Sequence, residues 1–93
     1  MIESFKCRET EIVAKGGISS KFPIDIHTRA LRKIIMLNSS KTIKDLLIPP
    51  SNHLEKLKGD REGSFSIRIN DKYRICFKLE NNNFTEVEIV DYH

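Results

Sequence analysis

The amino-acid sequence predicts an α+β fold in which two N-terminal helices pack on one face of an antiparallel β-sheet. Two observations support this prediction. Apolar residues recur at helical spacing between positions 26 and 37, and from position 65 onward polar and apolar residues alternate with a period of two. Because 93 residues can build one modest core but not a second module, we predict a single domain over residues 1–93.

The N-terminal half supplies the predicted helices. Residues 1–7 are interpreted as a short first strand, which a polar stretch with a Gly-Gly pair follows. Pro23 and the acid two positions later mark a helix entrance, and the spacing of apolar and basic residues then predicts an amphipathic helix over 26–38. A second, shorter helix is predicted over 40–47, where a Pro-Pro pair stops it.

The C-terminal half predicts three antiparallel strands. Two strands flank a turn at 70–72, and a second turn at 81–83 leads into a last strand over 84–90. The apolar alternation of the first two strands is carried by Phe65, Ile67, Ile69, Tyr73, Ile75, Phe77 and Leu79. One face of this meander therefore faces the helices, and the other face is expected to be free.

The register of the predicted hairpin brings two arginines together. A three-residue loop pairs Ile69 with Tyr73, so the next pair is Arg68 opposite Arg74. Like charges directly opposite each other destabilise a sheet, whereas two guanidiniums on a rigid, free face can bind a phosphate. The alternative is that both arginines extend into water or meet acids of the last strand. The same register gives the pairs Ser64–Lys78 and Ser66–Cys76.

The charge is unevenly distributed along the chain. Sixteen Lys and Arg against thirteen Asp and Glu give a net charge of +3 and a pI near 9.0, which favours an anionic partner. The bases are concentrated over 56–78, whereas 79–93 holds four acids and neither Lys nor Arg. In the loop at 57–63, two glycines permit close backbone approach to a ligand, and Lys58 and Arg61 can contact the same anion.

Composition argues against several other classes of protein. Cys7 and Cys76 are far apart and form no CxxC pair, which predicts neither a disulfide framework nor a zinc site. There is no apolar run of membrane length, and the first residues lack the apolar stretch of a signal peptide. We therefore predict a cytoplasmic protein that needs no cofactor, metal or membrane.

The sequence ends on three groups that can transfer protons, Asp91, Tyr92 and His93. Strand alternation puts Asp91 and His93 on one side and Tyr92 on the other, so the three converge only if the strand twists or ends there.

Four segments together resemble the HigB toxins of the RelE superfamily. They are ESFKC near the start, FPIDIHTRALRK (22–33), LKGDREGSFSIRINDKYRICF (57–77) and the terminal VEIVDYH (87–93). The resemblance implies two helices on an antiparallel sheet and an endoribonuclease that cuts messenger RNA in the decoding site of the ribosome. It also implies neutralisation by a HigA-type helix-turn-helix antitoxin, which would supply any contact with DNA.

The resemblance assigns roles by position. Catalytic roles fall on Lys58, Arg74, Asp91, Tyr92 and His93, and RNA binding falls on Arg61, to which the hairpin register adds Arg68. Some HigB toxins carry a catalytic histidine three positions before the Lys of the LKG motif, where this chain has Glu55. Since the nearest histidine is His53, the identity of the general base stays open.

A ribonuclease that needs no metal uses the 2′-hydroxyl of its substrate as the nucleophile. The reaction requires a base for the hydroxyl proton, cations for the phosphorane charge, and an acid for the leaving 5′-oxygen. We predict that Arg74, assisted by Lys58 and Arg61, stabilises the charge of the phosphorane. His93, with an ordinary pKa of about 6.5, exchanges protons and is oriented by Asp91, while Tyr92 positions the base or the sugar.

Two other functions remain as hypotheses. The first is a catalytically silent module that binds RNA or the ribosome through the same basic face. The second is a metal-dependent nuclease built on His53, Asp91 and His93, although these scattered residues lack HExxH-like spacing.

Overall fold

The computed structural model describes residues 1–91, and within them two α-helices pack on a four-stranded sheet. Helix α1 spans Arg8–Ala14 and α2 spans His27–Ser39. The strands are β1 (Glu55–Lys56), β2 (Ser64–Arg68), β3 (Tyr73–Glu80) and β4 (Asn83–Asp91). They are ordered β1-β2-β3-β4, and every neighbouring pair is antiparallel. The predicted α+β class, with two helices on an antiparallel sheet, is confirmed.

The two helices are not both the predicted ones. Helix α2 lies where the amphipathic pattern placed it, but α1 falls in the stretch interpreted as polar. Its seven residues bury only Thr10 and Val13, too few for a period to be visible. The helix predicted over 40–47 is instead a 3-10 helix over Ile43–Leu47, entered through a capping box of Thr42 and Asp45.

The first residues run beside β4 and parallel to it, rather than forming a regular strand. Isolated bridges join Ile2 to Phe84 and Phe5 to Val87. The backbone N–H of Phe84 donates to the carbonyl of Met1 at 2.9 Å, and that of Val87 to the carbonyl of Ser4 at 3.1 Å. The N-terminus thereby covers the outer edge of β4, an edge that would otherwise offer unpaired backbone groups to another chain.

The core lies between the helices and the apolar face of the sheet. Its fully enclosed residues include Val13 of α1 and Leu37 of α2, which share one cluster with Ile75, Phe77 and Val87 of the strands. Because burial of this face fixes which residues point inward, it also fixes the strand register. All four predicted pairs are confirmed: Ser64–Lys78, Ser66–Cys76 and Arg68–Arg74 are partners, and the N–H of Ile69 donates to the carbonyl of Tyr73 at 3.0 Å.

The second face of the sheet was expected to be free, and that expectation is wrong. Ser66 is completely buried, and Arg74 and Cys76 are 8% and 2% exposed. The segment after β1 folds over this face, and Arg61 reaches across it to Glu88 on β4. Alternation of apolar residues reports one face only, so it could not reveal that a charged loop covers the other.

No helix in the described part of the chain is both long enough and apolar enough to cross a membrane.

Candidate functional site

The centre of the polar face is the guanidinium of Arg74, which is almost completely enclosed. Its Nε donates a hydrogen bond to Oγ of Ser66 at 2.8 Å, and its Nη2 donates to the carbonyl oxygens of His53 and Ser66, the latter at 3.3 Å. A buried guanidinium needs such acceptors, because an unsatisfied charged donor is expensive to desolvate. The planar group is therefore fixed in one orientation.

Two features of the backbone create this set of acceptors. Antiparallel pairing of β2 with β3 sets Ser66 opposite Cys76, one diagonal step from Arg74. His53 follows a 3-10 turn and adopts a left-handed conformation with φ of +43°, uncommon for a residue with a side chain. This conformation aims the His53 carbonyl at the guanidinium while the His53 side chain stays exposed.

Glu55 lies beside Nη1 of the same guanidinium. Strand β1 pairs Glu55 with Ser66, and Oε1 of Glu55 is 3.7 Å from Nη1 of Arg74. The side chain of Glu55 is 54% exposed, so an exposed carboxylate and an enclosed cation meet at the surface. The sequence indicated Glu55 only as a replacement for a histidine. Ser66 was noted only as a register partner, and its role as an acceptor for Arg74 was missed.

Arg68 and Arg74 are neighbours in the register, yet their guanidiniums have different partners. Arg68 forms an ion pair with Asp71 in the β2–β3 turn and remains partly exposed. The arginines therefore do not form the bare pair that the sequence suggested, and they do not meet Glu86 or Glu88 of the last strand. Glu86 instead pairs with Lys78 at 2.9 Å, an interaction that raises the pKa of Lys78 above its usual value.

The loop between β1 and β2 carries Lys58 and Arg61. The N–H of Leu57 donates to the carbonyl of Ser64 at 2.8 Å, so the loop starts directly beside β2. Lys58 is exposed, whereas Arg61 donates to Oε1 of Glu88 at 2.9 Å. The cation of Arg61 thus crosses the sheet surface and already has a carboxylate partner.

Asp91 is the last residue that the structure describes, and it lies at the end of β4. It pairs with Tyr73, and one of its carboxylate oxygens is 3.6 Å from Nζ of Lys72. Since Val90 is the partner of Arg74, alternation sets Asp91 on the strand face opposite to that of Arg74. The predicted site residues Tyr92 and His93 lie outside the described residues.

Metal-ligand geometry is absent from the described part of the chain. Within residues 1–91 there is no group of three His, Cys, Asp or Glu side chains that could hold a metal ion. What residues 1–91 bring together is an enclosed, oriented cation with an exposed carboxylate beside it. Such a pair can bind a phosphodiester and accept a proton from a group next to it.

Comparison with solved structures identifies known chains that have the same fold. Chains from two Staphylococcus aureus structures, a YoeB–YefM complex and a heterotetrameric YoeB–YefM toxin–antitoxin complex, share the fold with TM-scores of 0.62 and 0.61. Sequence identity is 16% and 20%, and the matches cover 100% of this chain and 98% of each of the others. This chain therefore shares the fold of chains in those toxin–antitoxin complexes.

The sequence then identifies the family. Residues 11–93 match the family model of HigB-like toxins, described as the RelE-like toxin of the type II toxin-antitoxin system HigB. This chain belongs to that family, as its resemblance to HigB toxins predicted.

Curated relatives agree with this assignment. An endoribonuclease HigB from Proteus vulgaris is 30% identical over the whole length of both chains, and a toxin HigB-1 from Vibrio cholerae is 39% identical over 60% of this chain. A Haemophilus influenzae protein without an assigned function is 42% identical over 72% of this chain. The match spans 66% of the Haemophilus protein and 59% of the Vibrio toxin, so it covers less than two thirds of those two relatives.

Proposed function

We propose that this HigB-family toxin is an endoribonuclease that cuts messenger RNA on the ribosome without a metal and thereby inhibits translation. The observation that carries the proposal is the enclosed guanidinium of Arg74, fixed by Ser66 and His53 and edged by the carboxylate of Glu55. A full-length relative named as an endoribonuclease supports the assignment of activity.

In the proposed reaction the 2′-oxygen of RNA attacks the adjacent phosphorus. A base takes the hydroxyl proton as the new O–P bond forms, and the bond from phosphorus to the 5′-oxygen breaks as an acid protonates that oxygen. The products are a 2′,3′-cyclic phosphate and a free 5′-hydroxyl. A fixed guanidinium suits this chemistry because it stabilises the phosphorane charge without reorganising.

The residues then take the following roles. Arg74 and Lys58 stabilise the developing negative charge, and Glu55 is a candidate base because its carboxylate is exposed beside Arg74. His93 donates the proton to the leaving oxygen, and Tyr92 positions a base or sugar by stacking or hydrogen bonding. Asp91 orients His93 in this proposal, which requires the chain to turn at the end of β4 because Asp91 lies on the face opposite to Arg74. Arg61 and Arg68 assist in binding RNA, and each would exchange a carboxylate partner for phosphate.

We propose a HigA-type helix-turn-helix antitoxin as the partner, with the ribosome and messenger RNA as the targets in the cytoplasm. The type II family assignment and the toxin–antitoxin complexes that share the fold support a protein partner. Contact with DNA would come only through the antitoxin. Co-expression with the product of an adjacent gene that encodes a helix-turn-helix protein should restore growth, and the two proteins should copurify as a complex.

The test of function is to map messenger RNA ends after brief expression of the intact chain. A His93→Ala variant and a deletion of residues 92–93 are compared with Lys44→Ala, which removes an exposed cation that is not among the proposed site residues. The same proteins are assayed on naked RNA and on programmed ribosomes. Cuts that require ribosomes and disappear only in the two terminal variants support the proposal, whereas full activity of the deletion contradicts it.

Arg74→Ala separates an enzyme from a silent binding module. If Arg74 stabilises the transition state, the variant loses cleavage but keeps most of its affinity for ribosomes. Parallel loss of both would favour a module that only binds. Undiminished cleavage in a chelator would exclude the metal-dependent alternative.

A further inference from the structure

A second basic surface lies outside the residues discussed so far. An open groove of about 420 Å³ runs between helix α2 and the β2–β3 hairpin. Four cations line it, namely Arg29, Arg32, Lys33 and Arg68. Because a water molecule occupies about 30 Å³ of liquid volume, the groove is much larger than a single small ion requires.

Helix geometry explains why three of these cations face the same way. Positions 29, 32 and 33 are related by three- and four-residue steps, which bring side chains to one face of a helix. Within residues 1–91 no carboxylate lies at ion-pair distance from Arg29, Arg32 or Lys33. Arg68 pairs with Asp71, whose side chain is almost fully exposed. The groove therefore has a large excess of positive charge.

Lys33 is disfavoured in its charged form by burial and by the neighbouring cations. Partial burial, followed by the charges of Arg29 and Arg68, lowers the pKa of Lys33 below its ordinary value of 10.5. The folded protein thus holds like charges together at a cost, and a bound anion would offset that cost. An uncompensated basic cluster that also has a cavity is typical of an anion-binding surface.

The ammonium group of Lys33 is held in place by a buried asparagine. Its Nζ donates a hydrogen bond to Oδ1 of Asn52, which is completely buried. The amide nitrogen of Asn52 donates in turn to the carbonyl of Leu46 at 3.0 Å, which fixes the orientation of the Asn52 side chain. A cation anchored in this way loses less conformational entropy on binding an anion than a free lysine would.

Arg68 links the groove to the strand pair that carries Arg74. Arg68 lines the groove and is the direct register partner of Arg74. An RNA strand whose scissile phosphate lies at Arg74 would reach the groove by passing Arg68. Three of the four groove cations are arginines, whose planar guanidiniums match the geometry of phosphate oxygens.

We propose that the groove formed by Arg29, Arg32, Lys33 and Arg68 binds the phosphodiester backbone of the substrate RNA beside the cleavage point. This inference rests on the proposed ribonuclease function, since it takes Arg74 as the position of the scissile phosphate. Helix α2 would then hold the substrate strand, a role that the sequence pattern indicated for no residue of that helix.

The test measures RNA binding without cleavage. The probe is a mixed-sequence RNA oligonucleotide with 2′-O-methyl groups throughout, which keeps its phosphates but cannot be cut. Its dissociation constant is measured as a function of salt for the full chain, for Arg29→Gln/Arg32→Gln, and for Lys41→Gln/Lys44→Gln. The last variant removes the same charge from exposed positions outside the groove.

We expect the Arg29/Arg32 variant to bind roughly fivefold to tenfold more weakly, as the loss of two exposed ion pairs implies. The dependence of log K on log salt should also become shallower by about 1.4, because each single-strand phosphate contact contributes about 0.7. The Lys41/Lys44 variant should match the parent. Circular dichroism confirms that both variants fold, which is expected because all four positions are exposed and Gln is a good helix former.

Three results would overturn the proposal. Equal weakening in both variants would mean that only net charge matters, and unchanged binding in the Arg29/Arg32 variant would mean that RNA passes elsewhere. The Arg29/Arg32 variant could also bind the oligonucleotide as the parent does but lose affinity for the antitoxin or for ribosomes that carry no messenger RNA. That result would assign the groove to those partners. If instead the parent cuts no messenger RNA but the groove variant still loses oligonucleotide binding, the proposed function fails while the RNA site stands.

Discussion

The hydroxyl of Ser66 should matter to both stability and cleavage, although it would touch no substrate. Ser66→Ala removes the acceptor of the 2.8 Å hydrogen bond from Nε of Arg74, in a place where both groups are buried. A hydrogen bond to a charged group contributes about 1.5–3 kcal/mol. The carbonyls of His53 and Ser66 still hold Nη2, so we expect the lower half of this range, about 2 kcal/mol of unfolding free energy.

Cleavage should fall as well, because the guanidinium loses one of the constraints on its orientation. If the full 2 kcal/mol is lost from transition-state stabilisation, the rate falls by about thirtyfold. The assay is the initial rate of messenger RNA cleavage on programmed ribosomes, with urea unfolding measured on the same preparations. Ser64→Ala is the matched control, since Ser64 is buried on the same face of β2 but makes no hydrogen bond to Arg74.

A double-mutant cycle separates positioning of Arg74 from a general loss of stability. If Ser66 acts through Arg74, Ser66→Ala should slow the residual cleavage of Arg74→Ala little further. The reduction should appear mainly in kcat, with KM nearly unchanged. Cleavage by Ser66→Ala at the parental rate, or equal losses in Ser66→Ala and Ser64→Ala, would refute the reasoning.

Three further substitutions test separate parts of the structure. His53→Gly should keep cleavage, because Arg74 uses only the backbone carbonyl at this position. The same substitution should raise the melting temperature, because Gly adopts a positive φ without strain. Loss of cleavage with an intact fold would instead show that the imidazole takes part. Gly63→Ala should lower the unfolding free energy by about 1 kcal/mol in urea titrations, because φ there is +88°, and an unchanged midpoint would contradict this. Backbone N–H groups at positions 41 and 42 hold the pKa of Asp45 below its usual value. The ionised carboxylate therefore stabilises the fold at neutral pH, and this stabilisation is lost as pH falls through the folded-state pKa. In Asp45→Asn the free energy of unfolding should therefore change less as pH is lowered into the acid range. An unaltered pH dependence would argue against the capping box of Thr42 and Asp45.

Local sequence signals determined the parts of the fold in which one face of an element is buried. The period of α2 and the alternation of β2 and β3 follow directly from the apolar core, and core burial also selects the register that pairs Arg68 with Arg74. Helix α1 escaped prediction because seven residues that bury two side chains carry almost no periodic signal.

The sequence by itself determined the fold class, the strand register and, through its resemblance to HigB toxins, the family. Only the tertiary structure decided the surroundings of Arg74, because its partners at Ser66 and His53 come from a neighbouring strand and from a distant backbone carbonyl. Likewise, only tertiary packing set the basic side of α2 beside Arg68 to form a groove. Contacts between residues distant in sequence depend on how elements pack, and neither periodicity nor spacing within one element contains that information.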